Sequence, residues 1–268
     1  MMIDVKEFKA IMMRAGAILE EAFYDSKVVL TKSNEIDLVT ETDRKIELFL
    51  KKELGKLLPE SEFLAEETDH AHKQAKYLWI IDPIDGTTNF VHKFPFVCIS
   101  VALMIENVLS FAVVYNPIMK EFFYAESGGG TYLNNTRIYV SGNTDFSKAF
   151  LGTGFAYSFE SSSENNIRFF ESILPRVHGV RRAGSAALDL AYVAKGVFDG
   201  FWEWFLNPWD VCGGILLIKE AGGIVTNVSG HEWEFSDELI IAGSSEMHGE
   251  LLKRISSLVV KEKEESML

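Results

Sequence analysis

The chain has little cysteine, no excess of basic residues and no long apolar run, and each shortage excludes a class of protein. Its two cysteines, Cys98 and Cys212, stand in apolar segments without a CxxC partner or a histidine at ligand spacing. We therefore interpret both as buried, reduced side chains. Only 26 basic residues stand against 39 acidic ones, which gives a formal net charge of -13. A protein with this charge and no basic stripe is not expected to bind nucleic acid or an anionic membrane surface.

The hydrophobic segments are those of a globular protein. The longest apolar stretch, Phe96 to Ile105, is too short to span a bilayer and is interrupted by Ser100. The N-terminal segment is amphipathic and carries acidic residues early, unlike a secretory signal. A chain of 268 residues buries enough surface to fold without disulfides or a structural metal. We therefore expect a cytoplasmic protein without a membrane partner.

The apolar spacing predicts helices and strands in a regular order. Helices are predicted over 4–23 and over Thr42 to Leu58, and strand-like segments dominate from Val97 to Tyr139. Short strands are also predicted at 62–65 and 77–81, and after Ser147 strands and helices alternate, at 148–152, 163–174, 177–182, 185–195, 198–204, 209–221, 223–227, 239–242 and 244–258. This order predicts an α/β layered sandwich of two lobes, residues 1–145 and 146–260, followed by a flexible charged tail, 261–268.

The segment WIIDPIDGTTNF, residues 79–90, carries the strongest signal of chemistry. Its apolar beginning predicts the end of a buried strand, from which Asp82 and Asp85 would emerge together. Pro83 restricts the backbone between the two acids, and Gly86 allows it to turn closely. Two carboxylates beside a turn that could hold an anion are typical of Mg²⁺ chemistry. The alternative is a strand-to-helix turn in which both acids only cap backbone N–H groups.

Acidic residues in three other segments strengthen the metal hypothesis. Glu66 follows a short apolar strand, Asp210 stands in the first turn of a predicted helix, and Asp43 lies near the start of the second helix. The helix dipole alone would explain an acid at Asp210. Carboxylates converging from separate segments would repel one another unless cations lay between them, so two or three Mg²⁺ ions are plausible here.

Four motifs together resemble the signature regions of the inositol monophosphatase family. They are DLVTETD at 37–43, LAEET at 64–68, WIIDPIDGTTNF at 79–90 and PWDVCGG at 208–214, in the family's order and at its approximate spacing. The segments 181–203 and 219–223 extend the resemblance to nearly the whole chain. It implies the family's sugar-phosphatase sandwich fold, a homodimer, lithium sensitivity and a small phosphorylated polyol or sugar as substrate.

The resemblance also implies a role for individual residues. Thr87 and Asp43, together with Glu66, would form the catalytic machinery that orients the attacking water. The Mg²⁺ ligands would be Glu66, Asp82, the carbonyl of Ile84, Asp85 and Asp210. The substrate would be bound by Asp85, Gly86, Thr87, Thr88, Arg181, Gly184, Ser185, Ala186, Glu203 and Asp210. For Arg181, a surface ion pair is an equally good interpretation.

Several functions remain open under this resemblance. Hydrolysis of inositol monophosphate is favoured by RRAGSAALDLAY and by FWE followed by PWD. Fructose 1,6-bisphosphate, alone or as a second substrate, is the main alternative, and histidinol phosphate and the 3′-phosphate of phosphoadenosine nucleotides are others. A different class is a regulatory binding module in transcription, since some bacterial relatives act on the transcription machinery.

Overall fold

The structure is a computed structural model that describes residues 3–25, 29–31, 38–68, 75–155 and 163–265. Within these ranges the chain forms seven α-helices and fourteen β-strands. The helices are α1 (Val5–Tyr24), α2 (Glu41–Leu57), α3 (Thr87–Val91), α4 (Ser163–Ile173), α5 (Ala186–Ala194), α6 (Pro208–Glu220) and α7 (Ser245–Glu265). The first nine strands are β1 (Val29–Thr31), β2 (Leu38–Thr40), β3 (Glu62–Ala65), β4 (Tyr77–Asp85), β5 (Cys98–Ile105), β6 (Val108–Asn116), β7 (Glu121–Glu126), β8 (Gly130–Leu133) and β9 (Thr136–Ile138). The remaining five are β10 (Phe150–Thr153), β11 (Gly179–Arg181), β12 (Gly200–Trp204), β13 (Ile224–Thr226) and β14 (Leu239–Gly243).

Two large sheets organise the molecule. The first has seven strands in the order β3-β4-β5-β6-β7-β8-β9, in which only the β3–β4 pair is parallel. The second has five strands in the order β11-β10-β12-β14-β13, with β10 parallel to both of its neighbours. A short antiparallel pair joins β1 and β2.

Helices cover both faces of each sheet, which gives five layers. Helices α1 and α2 pack on the outer face of the first sheet, and α4 and α7 cover the outer face of the second. Helices α5 and α6 lie between the two sheets and share one apolar core with both of them. Because both of its faces are covered, β4 is buried along its whole length, which explains its continuous apolar sequence up to Asp82.

The predicted α/β layered sandwich is therefore confirmed, with its layers in the order αβαβα and with two differences in element length. Strand β4 does not end at Ile81 but continues through Asp85, because the pairing with β5 continues past an irregularity. Helix α7 extends to Glu265, so residues 261–265, which we expected in a flexible tail, are helical. Residues 266–268 and Asp37 of the first motif lie outside the described ranges. The lobe boundary near residue 145, which falls between β9 and β10, stays a prediction.

Among the residues that the structure describes, no helix is both long and apolar enough to cross a membrane.

Candidate active site

A β-bulge in β4 brings two acids of the WIIDPIDGTTNF motif to one face of the first sheet. Side chains alternate between the faces of a regular strand, so residues three apart point in opposite directions. In β4, however, Asp82 pairs with Ser100 and Asp85 pairs with Cys98, so one extra residue lies between the two pairs. Such a bulge shifts the alternation by one position. The two carboxylates therefore share the face that the helices between the sheets cover.

Parallel pairing places Glu66 beside Asp82. Ala65 at the end of β3 is opposite Ile81 of β4, and the N–H of Glu66 continues the ladder with a hydrogen bond to the Ile81 carbonyl (3.2 Å). Both acids therefore follow the same row of paired residues at one edge of the sheet. The two side chains lie close enough that the charge and a hydrogen bond of Glu66 raise the pKa of Asp82.

Helix α6 delivers Asp210 from the other half of the chain. Pro208 begins the helix, and the N–H of Asn207 donates a hydrogen bond to Asp210 Oδ2 (2.7 Å). The acid thus caps the start of α6, where the sequence had offered the helix dipole as the alternative reason for an acid. It also faces the metal motif, because Glu66 and Asp85 act electrostatically on it. Asp210 is therefore both a cap and a member of the acidic cluster.

Burial and mutual repulsion disfavour the charged forms of these acids. Burial, followed by the charges of Glu66, Asp85 and Asp210, raises the pKa of Asp82 well above its usual range. Burial and then the same neighbours, Glu66 and Asp85, raise the pKa of Asp210. Burial also raises the pKa of Asp85 to about 6, although hydrogen bonds from Ser185 and Ala187 oppose the shift. The carboxylates of the cluster therefore repel one another, and a bound cation would reduce that repulsion.

The cluster matches a cation in donor type but is not drawn tightly around one point. Among residues 3–265, apart from the undescribed gaps, no three His, Cys, Asp or Glu side chains are arranged to hold an ion as they stand. Asp85 Oδ2 already accepts hydrogen bonds from Ser185 Oγ (2.7 Å) and from the Ala187 N–H (2.6 Å). Asp82, by contrast, keeps a buried Oδ1 without a hydrogen-bond partner. A buried carboxylate oxygen left in this way fits a site for a hard cation.

The turn after Asp85 places Thr87 between the first sheet and α2. Gly86 has a φ of 91°, and a Cβ there would lie 3.1 Å from the carbonyl oxygens of Gly184 and Phe96, so only glycine fits. Thr87 Oγ1 donates to the Ile84 carbonyl (3.1 Å) and lies 3.5 Å from Oδ1 of Asp43, which is fully buried. The pair expected to orient water is therefore brought together. Thr88 follows on the half-buried side of α3.

Glu203 borders the acidic cluster from the second sheet. It stands near the end of β12, beside Gly154, which follows β10. A Cβ on Gly154 would lie 2.2 Å from either carboxylate oxygen of Glu203, so the two residues are in close contact. Burial, followed by the charges of Asp210 and Asp85, raises the pKa of Glu203 to about 8. Gly184, Ser185 and Ala186 lead into α5, and this segment meets the cluster where Ser185 Oγ and the Ala187 N–H donate to Asp85.

A comparison with known protein families decides what this arrangement belongs to. The model of the inositol monophosphatase family matches residues 3–262. This chain belongs to the inositol monophosphatase family. It is therefore a phosphatase that hydrolyses phosphate monoesters, in a family of metal-dependent enzymes.

Individual relatives agree with this family over nearly their whole length. The phosphatase is 39% identical over 248 residues to a putative Nus factor SuhB of Neisseria meningitidis serogroup B, covering 92% of this chain and 95% of that protein. It is 38% identical over 244 residues to an inositol-1-monophosphatase of Synechocystis, covering 91% and 85%. Among solved structures, it resembles an IMPase of Thermotoga maritima with a TM-score of 0.86 at 34% identity, covering 94% and 96%. An extragenic suppressor protein suhB of Bartonella henselae gives a TM-score of 0.88 at 36% identity, covering 93% and 97%.

The structure brings most of the predicted site residues of this phosphatase together, but it gives Arg181 another neighbour. The Arg181 guanidinium lies over the ring of Phe150, 4.8 Å from its centroid, and donates to the Val180 carbonyl. Arg182 is instead the arginine that acts on the cluster, because its positive charge opposes the rise in the pKa values of Glu203 and Asp189. The role of Arg181 as a substrate contact stays a prediction, and Arg182 is a residue that the sequence did not single out.

Two further buried acids of the phosphatase, Asp189 and Glu47, were not singled out from the sequence. Asp189 of α5 is buried, its Oδ1 has no hydrogen-bond partner, and burial followed by the charges of Glu203 and Asp85 raises its pKa. Glu47 of α2 is fully buried and accepts hydrogen bonds from the Glu67 N–H (2.8 Å) and from Thr68 Oγ1. Glu47 lies one helical turn after Asp43, so an acid on the apolar face of a predicted helix was the available signal.

Proposed function

We propose that the phosphatase hydrolyses an inositol monophosphate in a Mg²⁺-dependent reaction. The observation that carries the proposal is the acidic cluster of Glu66, Asp82, Asp85 and Asp210, in which burial and then like charges raise the pKa values of the last three. Ion pairing with a nearby cation would return these acids to their charged forms.

The four acids and the carbonyl of Ile84 are the groups that would hold two or three Mg²⁺ ions. When bound, the ions would neutralise charge on the phosphate and the leaving oxygen and lower the pKa of the attacking water. The buried Oδ1 of Asp82, which has no hydrogen-bond partner, is available to such an ion.

The protein's own groups supply orientation. Thr87 and Asp43 are the candidates for positioning the attacking water. Thr87 Oγ1 and Asp43 Oδ1 lie 3.5 Å apart, so one water molecule could form hydrogen bonds with both oxygens. The backbone of Gly86, Thr87 and Thr88 follows Asp85 directly and is the candidate to hold the phosphate. Catalysis would then be mainly positioning and electrostatics.

We expect the hydroxyls of the substrate to bind on the side of the cluster that faces the second sheet. Glu203 and Asp210 offer carboxylate oxygens there, and the turn at Gly184–Ala186 offers backbone groups. A neutral Glu203 can donate as well as accept, which suits a hydroxyl. These contacts favour a compact polyol. The Synechocystis relative, named an inositol-1-monophosphatase, favours inositol phosphate as that polyol.

The direct test is phosphate release by the purified protein, with and without Mg²⁺. Inositol 1-phosphate should lead over fructose 1,6-bisphosphate, histidinol phosphate and phosphoadenosine phosphate. Equal turnover of fructose 1,6-bisphosphate would make the protein a dual enzyme. If folded protein releases no phosphate from any ester, the regulatory module in transcription becomes the better explanation, in line with the relatives named Nus factors.

The substitution Asp82→Asn tests the metal assignment. It should abolish Mg²⁺-dependent turnover while leaving the fold intact, because it removes a ligand charge but little volume. Binding of Mn²⁺, followed by electron paramagnetic resonance, should weaken in parallel. Asp199→Asn is the matched control, since Asp199 is also buried but bonds to Ser141, Asn143 and the Phe150 N–H away from the cluster. Normal Mg²⁺-dependent activity of Asp82→Asn would overturn the site.

Family membership alone leads us to propose two further properties, a homodimer and inhibition by Li⁺. Light scattering of the purified protein and a Li⁺ titration of its Mg²⁺-dependent activity test them.

A further inference from the structure

The side-chain amide of Asn89 joins two segments that are far apart in the sequence. Asn89 lies in α3, two residues after Thr87. Its Nδ2 donates to the carbonyl oxygens of Phe96 (2.8 Å) and Ala183 (2.8 Å) and lies 3.3 Å from that of Gly184. Carbonyl oxygens only accept, so these neighbours also fix which end of the amide faces them. The amide therefore connects the turn after Asp85 with the segment that leads into α5.

The same two segments approach each other closely at their backbones. Gly86 and Gly184 both have positive φ angles, of 91° and 88°. A Cβ on Gly86 would lie 3.1 Å from the Gly184 carbonyl oxygen, and a Cβ on Gly184 would lie 3.1 Å from Asn89 Nδ2. A side chain at either glycine would therefore crowd the facing segment, so both glycines permit the close approach that the bonds of Asn89 hold.

A second tie joins these segments independently of Asn89. Asp85 Oδ2 accepts from Ser185 Oγ and from the Ala187 N–H, and Ser185 also caps α5 through the Leu188 N–H. Loss of Asn89 would therefore leave the start of α5 bound to Asp85. What it would release is the preceding backbone at Ala183 and Gly184.

We propose that Asn89 is a positioning residue that sets the distance between the phosphate end and the hydroxyl end of the substrate site. The inference rests on the proposed function, in which residues 86–88 hold the phosphate and residues 184–186 meet the polyol. Asn89 does not touch the substrate. It acts through the Gly184 turn, so its loss should weaken recognition of the polyol and spare the steps that all phosphate esters share.

The test compares a polyol ester with an ester that has no polyol. Asn89→Ala should raise KM for inositol 1-phosphate by about tenfold, the loss expected for two hydrogen bonds, and change kcat little. The kinetics with p-nitrophenyl phosphate and the binding of Mn²⁺ in the absence of substrate should stay within about twofold of the unchanged protein, since neither depends on the Gly184 turn. Asn89→Ser keeps one smaller donor, so its KM for inositol 1-phosphate should lie between those of Asn89→Ala and the unchanged protein.

Asn116→Ala is the matched control. Asn116 is buried, donates to the Pro95 carbonyl (2.8 Å) beside Phe96, and accepts from Ile118 and Met119, but it makes no bond to residues 183–184. Its replacement should not lower the activity with inositol 1-phosphate relative to that with p-nitrophenyl phosphate. An equal loss of both activities in Asn89→Ala and Asn89→Ser would overturn the proposal. So would a selective loss of activity with inositol 1-phosphate in Asn116→Ala.

The proposed function can fail separately. If the unchanged protein prefers a different polyol phosphate, the assignment to inositol falls, and Asn89 is then judged by the ratio of that ester to p-nitrophenyl phosphate. A ratio that Asn89→Ala leaves unchanged would refute the positioning role whichever polyol is preferred.

Discussion

Replacing Glu203 by glutamine should make the metal-free protein more stable at neutral pH. Glu203 is only 7% exposed, and burial, followed by the charges of Asp210 and Asp85, raises its pKa from 4.5 to about 8. The folded protein therefore keeps this carboxyl mostly protonated at pH 7, whereas the unfolded chain ionises it. Unfolding is favoured by that ionisation, and a glutamine cannot ionise.

The size of the effect follows from the gap between the two pKa values. Because the folded-state pKa is the higher one, the contribution of Glu203 to stability is complete below pH 4.5 and is lost as the pH rises toward 8. At about 1.4 kcal/mol for each pH unit, the loss reaches about 3 kcal/mol at pH 7 but only about 1 kcal/mol at pH 5. The free energy of unfolding of Glu203→Gln should therefore exceed that of the unchanged protein most at pH 7 and only slightly at pH 5.

Urea denaturation followed by tryptophan fluorescence, in EDTA at pH 5, 6 and 7, measures this difference. Glu60→Gln is the control, because Glu60 is exposed and its replacement should not change stability with pH in this way. Mg²⁺ should narrow the gap at pH 7, since it would neutralise the neighbouring acids. Activity should fall in the same variant, because the proposed hydroxyl contact is altered. A gain that is absent at pH 7, or equal at pH 5 and pH 7, would refute the reasoning.

Three more outcomes follow from contacts around the site. Glu47→Ala should lower the free energy of unfolding by about 2–3 kcal/mol, because the Glu67 N–H and Thr68 lose a buried acceptor, and Glu47→Gln should lose less; denaturant titration measures both. Gly154→Ala should keep the fold but raise KM for inositol 1-phosphate, because the added methyl group displaces the carboxylate end of Glu203. A lowered melting temperature together with an unchanged KM would contradict this. Cys98 and Cys212 should resist a thiol reagent in the native protein and react fully in denaturant, since burial raises both thiol pKa values; rapid native labelling, read by mass spectrometry, would show the burial to be wrong.

The sequence predicted the order of the elements well because the signals for them are local. Apolar spacing located α1 and the alternating strands and helices after Ser147, each to within about two residues of the observed bounds except at the end of α7. The charged composition of the last residues predicts a tail, yet helix α7 continues to Glu265.

The acids of the site were also visible in the sequence, but not their arrangement. Asp82 and Asp85 are three residues apart, and a regular strand would point them to opposite faces. Only the bulge against β5 turns them to the same face. Glu66 joins them through parallel pairing of β3 with β4, and Asp210 joins them through packing of α6 between the sheets.

What the sequence by itself determined is the set of chemical groups, the family and the succession of helices and strands. Which arginine acts on Glu203, and which amide joins residues 89 and 183, was decided only by the tertiary structure. The physical reason is that side-chain type and periodicity depend on near neighbours along the chain. Hydrogen bonds and charge interactions across the site depend instead on strand register and helix packing, which bring together residues about a hundred positions apart.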